Sequence, residues 1–166
     1  MTSRHLQVFL FVLASCVGCD HAAKQVAEQL LAGSDAFVLA GGAVRLELVS
    51  NPGAFLSLGA GLPEAVRQLL LLGLVPLALG LVSLLVWRSP HASRAQLLAL
   101  GLVAGGGLAN WLDRVLHGGA VTDFVSLGVG RLRTGIFNVA DVAIVAGVLL
   151  LLRLGVAAPR AESDAV

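Results

Sequence analysis

Four apolar stretches, each about as long as a bilayer core is thick, constrain most of what this chain can fold into. They run from about Leu6 to Leu31, Leu69 to Trp87, Ala95 to Leu112 and Ile136 to Leu152. A hydrocarbon core of about 30 Å takes roughly 20 helical residues. Every backbone polar group inside it must be bonded within its own segment, so the stretches are expected to be helices. The second runs 19 residues without a charge and includes Pro76. Charged residues make up 13% of the 166-residue chain, against about 25% in a soluble domain. The expectation is an all-α membrane protein with four transmembrane helices, one domain over residues 1–156. A short tail, 157–166, is expected to be cytoplasmic and disordered.

The connections differ in character. Arg88-Ser-Pro-His-Ala-Ser-Arg94 is short and basic. The stretch from Ser34 to Glu64 contains Ala43-Val-Arg-Leu-Glu-Leu-Val49, whose period of two is strand-like. Alternation returns around Val129-Gly-Arg-Leu-Arg133, and Gly41-Gly42 and Gly118-Gly119 are turn signals. Two strand-bearing loops on one face predict a small β-sheet capping the helices. Four spans put both termini on one side, with Arg4, Arg88, Arg94, Arg153 and Arg160. The raw count of charges does not decide orientation. Basic density in the short loop favours a cytoplasmic location for that side. Asp20, Lys24, Asn51, Asn110, Asp113, Arg114, Asp123, Asn138 and Asp141 then converge on the outer interface.

Carboxylates beside apolar segments are costly unless paired or used, so Asp123 and Asp141 are the leading candidates for chemistry. They lie 18 residues apart, close enough in sequence for a loop to bring them together. Two carboxyls at about 3 Å cannot both ionise easily, so one keeps a proton. The ionised one can take a proton from water while the protonated one polarises a carbonyl. That is amide hydrolysis without metal or covalent intermediate. The plainer alternative makes Asp141 a helix-terminal acid and Asp123 an ordinary loop acid.

The surrounding polar residues have similar double readings. Asn138 can orient Asp141, bind a ligand or cap a helix. Asn110 and Arg114 are spaced for one helix face, and the Arg114 fork suits carbonyls or carboxylates. Asp113 reads as a structural partner for a cation. Asn51-Pro-Gly53 reads as a turn or as a loop holding substrate backbone. Asp20 and Lys24, four residues apart, form a favourable helix pair or touch substrate.

Missing motifs narrow the chemistry. His5, His21, His91 and His117 are scattered, with no His-Glu-x-x-His, so an intramembrane zinc protease is not expected. No Gly-x-Ser-x-Gly and no phosphate-binding glycine loop is present. No metal or cofactor is expected. A net charge of +1 gives no case for nucleic acid. Cys16 and Cys19 sit in an apolar helix and read as packing. Leu13-Ala-Ser-Cys16 also resembles a bacterial lipoprotein signal, in which Cys16 would be lipidated. The membrane chain that follows argues against that.

Five motifs in order resemble those of lipoprotein signal peptidase, also called signal peptidase II. They are Asp20-x-x-x-Lys24, Asn51-x-Gly53-Ala-Phe55, Gly105-Gly-x-x-x-Asn110-x-x-Asp113-Arg114, Val121-x-Asp123-Phe124 and Phe137-Asn138-x-Ala140-Asp141. The resemblance implies an aspartic endopeptidase of the bacterial inner membrane, acting as a monomer in contact with membrane lipid. Its substrates would be diacylglyceryl-modified prolipoproteins, cut just before the modified cysteine. By the matched positions Asp123 and Asp141 are the dyad. Asn51, Gly53, Asn110, Arg114 and Asn138 bind substrate or order the site, with Asp20 and Lys24 in support. The chain departs in two places: one alanine is missing from the Asn51 loop, and Arg131-Leu-Arg-Thr-Gly135 replaces an aromatic-Pro segment. The alternatives are a small membrane transporter and a non-catalytic membrane assembly factor. The uninterrupted apolar second helix argues against a polar pathway, and the carboxylate pair against a passive role. The segment from Ser34 to Glu64 is the expected lid.

Overall fold

In the computed structural model, which describes residues 3–88 and 92–156, the chain is mostly helical with one small antiparallel sheet. Helix α1 spans Ser3–Leu31. Next come strands β1 (Phe37–Leu39) and β2 (Val44–Asn51). Helix α2 (Glu64–Gln68) runs through a wider turn at Leu69–Leu74 into α3 (Val75–Arg88). Then follow α4 (Arg94–Leu116), β3 (Val121–Val129), β4 (Leu132–Arg133) and α5 (Val139–Val156). Among the described residues three helices are long and apolar enough to cross a membrane: His5–Leu31, Glu64–Arg88 and Arg94–Leu116. The expected tail, 157–166, and part of the short basic loop lie outside the described residues.

Several boundaries differ from the sequence reading, each for a local reason. The second helix starts at Glu64, because Pro63 supplies the fixed φ of a helix entrance and Glu64 is an acid in the first turn. Helix α4 runs past Leu112 to Leu116, since Asp113 and Arg114 find partners inside the protein. Its start is fixed by a capping box between Ser93 and Gln96. Helix α5 begins at Val139, not Ile136, so Asn138 stands just outside it.

Helix α4 is the axis of the bundle, and three consecutive glycines explain how. Successive helical residues point about 100° apart, so Gly105, Gly106 and Gly107 face three neighbours. A Cβ on Gly105 would sit 2.7 Å from Cys16 Cβ of α1, and one on Gly107 would lie 2.9 Å from Leu79 Cδ2 of α3. A Cβ on Gly106 would collide with the Ala140 carbonyl of α5. Gly147 repays the approach, lying against the Ala99 carbonyl of α4. Small residues are what bring helices together where no hydrophobic force does so. Cys16 thus lies within a continuous helix packed against α4, and both cysteines are free thiols.

The sheet has the order β1-β2-β3-β4, all antiparallel. It is larger than the alternation predicts. Residues 129–133 form its tightest turn, and the strand before them reaches back to Val121. Within the stretch from Ser34 to Glu64, residues 37–39 and 44–51 are strand, and 52–63 is the longest part left outside the sheet.

Candidate active site

All nine polar residues expected to converge are buried, and they form one connected network at the junction of helices and sheet. Its base is an ion triad. Lys24 Nζ lies 2.6 Å from Asp20 Oδ2 and 2.8 Å from Asp113 Oδ2, and donates to Asn110 Oδ1 at 3.3 Å. The ammonium thus has two carboxylates and one amide oxygen around it. Asp20 Oδ1 accepts from the Ala140 N–H, and Asp113 Oδ2 from the Thr122 N–H. The pairing expected of Asp20 and Lys24, and the structural role expected of Asp113, are both present.

Asn110 transmits this frame to the first carboxylate. Its Oδ1 accepts from Lys24 and from Asn138 Nδ2 at 3.0 Å, so its Nδ2 turns to Asp141 Oδ1 at 2.9 Å. Asp141 also takes part in a reciprocal cap. Its N–H donates to Asn138 Oδ1 at 3.0 Å, and the Asn138 N–H reaches Asp141 Oδ2 at 3.3 Å. This is the capping-box arrangement with Asn and Asp in its two places. Asn138 is thus the cap of α5 as well as a site residue; the two readings are not alternatives.

The second carboxylate comes from the sheet. Asp123 on β3 accepts from Asn138 Nδ2 at 2.7 Å and from Asn51 Nδ2 at 2.8 Å, one on each oxygen. A bulge in β2 makes the second bond possible. Leu46 faces Val125 while Val49 faces Asp123, a shift of one residue between them. Without it Asn51 would pair opposite residue 120 and point to the far side of the sheet. Phe137 bridges to Val125 through main-chain bonds on both sides, which sets Asn138 beside Asp123. Burial is the largest influence on the Asp123 carboxyl and pushes it up to about 6. The Asn51 and Asn138 donors and Lys24 pull it down, and Asp141 pushes it up.

The Asn51 loop is tied in from both ends. Asn51 Oδ1 accepts from the Gly53 N–H at 2.8 Å, and Arg114 Nη2 donates to the Gly53 carbonyl at 2.6 Å. Arg114 Nη1 donates to the Asn110 carbonyl, leaving a buried Nε without a partner. Gly53 has no room for a side chain: a Cβ would lie 2.8 Å from the Leu58 carbonyl. Leu56 and Ser57 then adopt positive φ of 53° and 64°, a strained conformation for such residues. This turn forms one wall of an apolar groove of about 310 Å³. Phe55 and Leu56 face Val142, Val145 and Leu149 of α5 across it, and Asp141 stands in its lining.

Sequence reasoning missed Thr122, whose N–H holds Asp113, and Trp111, whose indole bonds the Leu72 carbonyl. Neither has a motif; each is visible only once its partner's place is known. Among the described residues no cluster of His, Cys, Asp and Glu could hold a metal ion.

Fold and site together define a membrane protein whose helices and sheet enclose two carboxylates in one buried amide and ion network. The model of the signal peptidase (SPase) II family matches residues 12–156. The lipoprotein signal peptidase of Beijerinckia indica subsp. indica is 40% identical over 119 residues, 68% of this chain and 69% of its own. That of Sulfurihydrogenibium sp. strain YO3AOP1 is 31% identical over 151 residues, covering 90% and 91%. A solved structure described as a bacterial membrane enzyme at 2.3 Å superimposes with a TM-score of 0.75 at 22% identity, covering 100% of this chain and 96% of that one. The chain belongs to the signal peptidase II family, and it is a peptidase.

Proposed function

We propose that Asp123 and Asp141 are the catalytic dyad with which this chain removes signal peptides from prolipoproteins. The observation that carries this reading is Asn138. One asparagine binds Asp123 through its side chain and Asp141 through its main chain, at the edge of an apolar groove. The pair holds one proton between its members in its active form, because burial and mutual repulsion oppose two charges. The ionised carboxylate takes a proton from water, and the resulting hydroxide adds to the scissile carbonyl. The protonated carboxyl donates to the carbonyl oxygen as negative charge develops there. Collapse of the tetrahedral intermediate breaks the C–N bond and passes a proton to the leaving amine.

The remaining residues bind and orient. Asn51, Gly53, Asn110 and Asn138 hold the carboxylates and the loop, and the free Arg114 Nε–H is a donor for a peptide carbonyl. Asp20 and Lys24 act through Asn110. The cut falls before a diacylglyceryl-modified cysteine, whose acyl chains anchor it in the membrane and leave the scissile bond near the interface. The apolar groove beside Asp141 supports this, since it offers an apolar segment a path to the dyad.

The same reading makes α5 a fourth transmembrane helix. Its 18 residues span about 27 Å at 1.5 Å each. Residues 1–156 then form one domain of an inner-membrane protein, monomeric, with both termini cytoplasmic and the site at the outer interface. Loop 52–63 is the lid. The test is cleavage of a lipidated precursor: Asp123→Asn and Asp141→Asn each abolish it while the protein stays folded in detergent. Full activity in either variant would sink the dyad.

A further inference from the structure

Pro76 leaves a gap in the second helix that the structure fills from outside. In an α-helix the N–H of residue 76 would serve the carbonyl of residue 72. Proline has no N–H, and its ring crowds that carbonyl. The helix responds by widening: over Leu69–Leu74 it takes π-helical form, and the Val75 N–H reaches back five residues to the Leu70 carbonyl. The Leu72 carbonyl receives its bond from Trp111 Nε1 on α4, at 3.2 Å. In an apolar setting an unmade carbonyl bond is expensive, so the indole has a specific chemical task there.

Trp111 is the next residue after Asn110, which donates to Asp141. It lies four residues beyond Gly107, where α4 touches Leu79 of α3, so both occupy one face. The face adjoining the network is therefore docked by a close approach at Gly107 and by one directional bond at Trp111. A directional bond sets the rotation of a helix in a way that apolar contact does not. We propose that Trp111 is a positioning residue: its indole stands in for the N–H that Pro76 lacks, and so fixes the turn of α4 that aims Asn110 at Asp141. The link to turnover rests on the dyad reading of the site; the indole's substitution for a main-chain donor does not.

The test is a four-protein cycle in detergent: wild type, Trp111→Phe, Pro76→Ala and the double variant. Phenylalanine keeps a ring but loses the donor, and alanine at 76 restores the main-chain N–H. The expected result is that Trp111→Phe lowers both the melting temperature and kcat, the latter on the order of tenfold, with KM changed less than about twofold. The double variant regains the melting temperature of Pro76→Ala but keeps the low kcat, because no indole bond fixes the turn of α4. A Trp111→Phe protein identical to wild type overturns the proposal, as does a double variant no more stable than Trp111→Phe or one with wild-type kcat. Loss of stability with unchanged kcat overturns the positioning role. If Trp111→Phe does not fold, the double variant decides: folded with kcat well below wild type supports the proposal, unfolded or fully active overturns it. The melting temperatures need no substrate, so they judge the hydrogen-bond exchange even if no variant, wild type included, cleaves a prolipoprotein.

Discussion

Asn138 Nδ2 donates to Asp123 Oδ1 at 2.7 Å, joining the mouth of helix α5 to the middle of strand β3. The same residue caps α5 and exchanges bonds with Asp141. One side chain therefore fixes the separation of two carboxylates that come from different kinds of structure. Asn138→Ala removes the cap and the bridge together. Loss of the cap costs about 1 kcal/mol, which a thermal melt in detergent will record. Loss of the bridge is expected to lower kcat by about 100-fold, since small misplacements at a reacting centre cost that much. Asn138→Ser separates the effects: serine still caps, but its hydroxyl is too short to replace the amide bridge to Asp123, so stability is largely kept while activity falls.

Lys24 is the charge that makes the base of the site affordable. Asp20 and Asp113 are almost fully buried and share this one ammonium. Lys24→Met leaves two carboxylates buried with no cation, and breaking one partner out of a buried pair costs about 3–5 kcal/mol. The variant is expected to be poorly folded at neutral pH. The triple variant Lys24→Met, Asp20→Asn, Asp113→Asn removes the unpaired charge and should regain most of the melting temperature. It should not regain full activity, because Asn110 Oδ1 still lacks the Lys24 donor that fixes its orientation.

The three glycines of α4 predict a graded series. Gly106→Ala drives a methyl into the Ala140 carbonyl, a backbone atom one residue before Asp141. Gly107→Ala meets only the end of the Leu79 side chain at 2.9 Å, which can rotate away. The first is expected to separate α4 from α5 and to abolish prolipoprotein cleavage. The second should change the melting temperature by a few degrees and leave cleavage near wild type. Equal effects from the two would contradict the account of α4 as an axis with three distinct faces.

How much of this could be read in the sequence depends on the range of the forces involved. The helices are legible because charge is so sparse that each apolar run stands out, and Asp20 and Lys24 because a helix puts four-residue neighbours together. Strand β1 is not, since Phe37-Val38-Leu39 is three apolar residues with no alternation to show. The first half of β3 is hidden because Thr122 and Asp123 serve the site instead of a regular pattern. The β2 bulge that turns Asn51 toward Asp123 leaves no mark in composition. The Pro76 gap is visible in the chain, but its filling by Trp111 is a contact across 39 positions that only packing reveals. Convergence of the nine polar residues is predictable from their shared side of the membrane; which of them touch is not.

The Asp123 carboxyl gives a prediction about pH with a defined sign. Burial, above all, raises it from 3.8 to about 6. The folded protein thus holds this proton more tightly than the unfolded chain does. Stability from this group is full below about pH 4, declines as pH rises, and by neutral pH is lower by about 3 kcal/mol. Wild-type protein should therefore melt at a higher temperature near pH 5 than near pH 7. Asp123→Asn, which cannot titrate, should flatten that part of the profile. Turnover follows the same proton. With the pair as the proposed dyad, cleavage needs one proton on it, so kcat/KM falls on the alkaline side as that proton is lost. Asn51 donates to Asp123 Oδ2 at 2.8 Å and favours the ionised form. Asn51→Ala removes that donor, so the proton is held to higher pH and the alkaline limb moves upward, whatever the loss in maximal rate. A limb that stays in place, or moves down, would show that Asp123 is not the group whose proton the reaction requires.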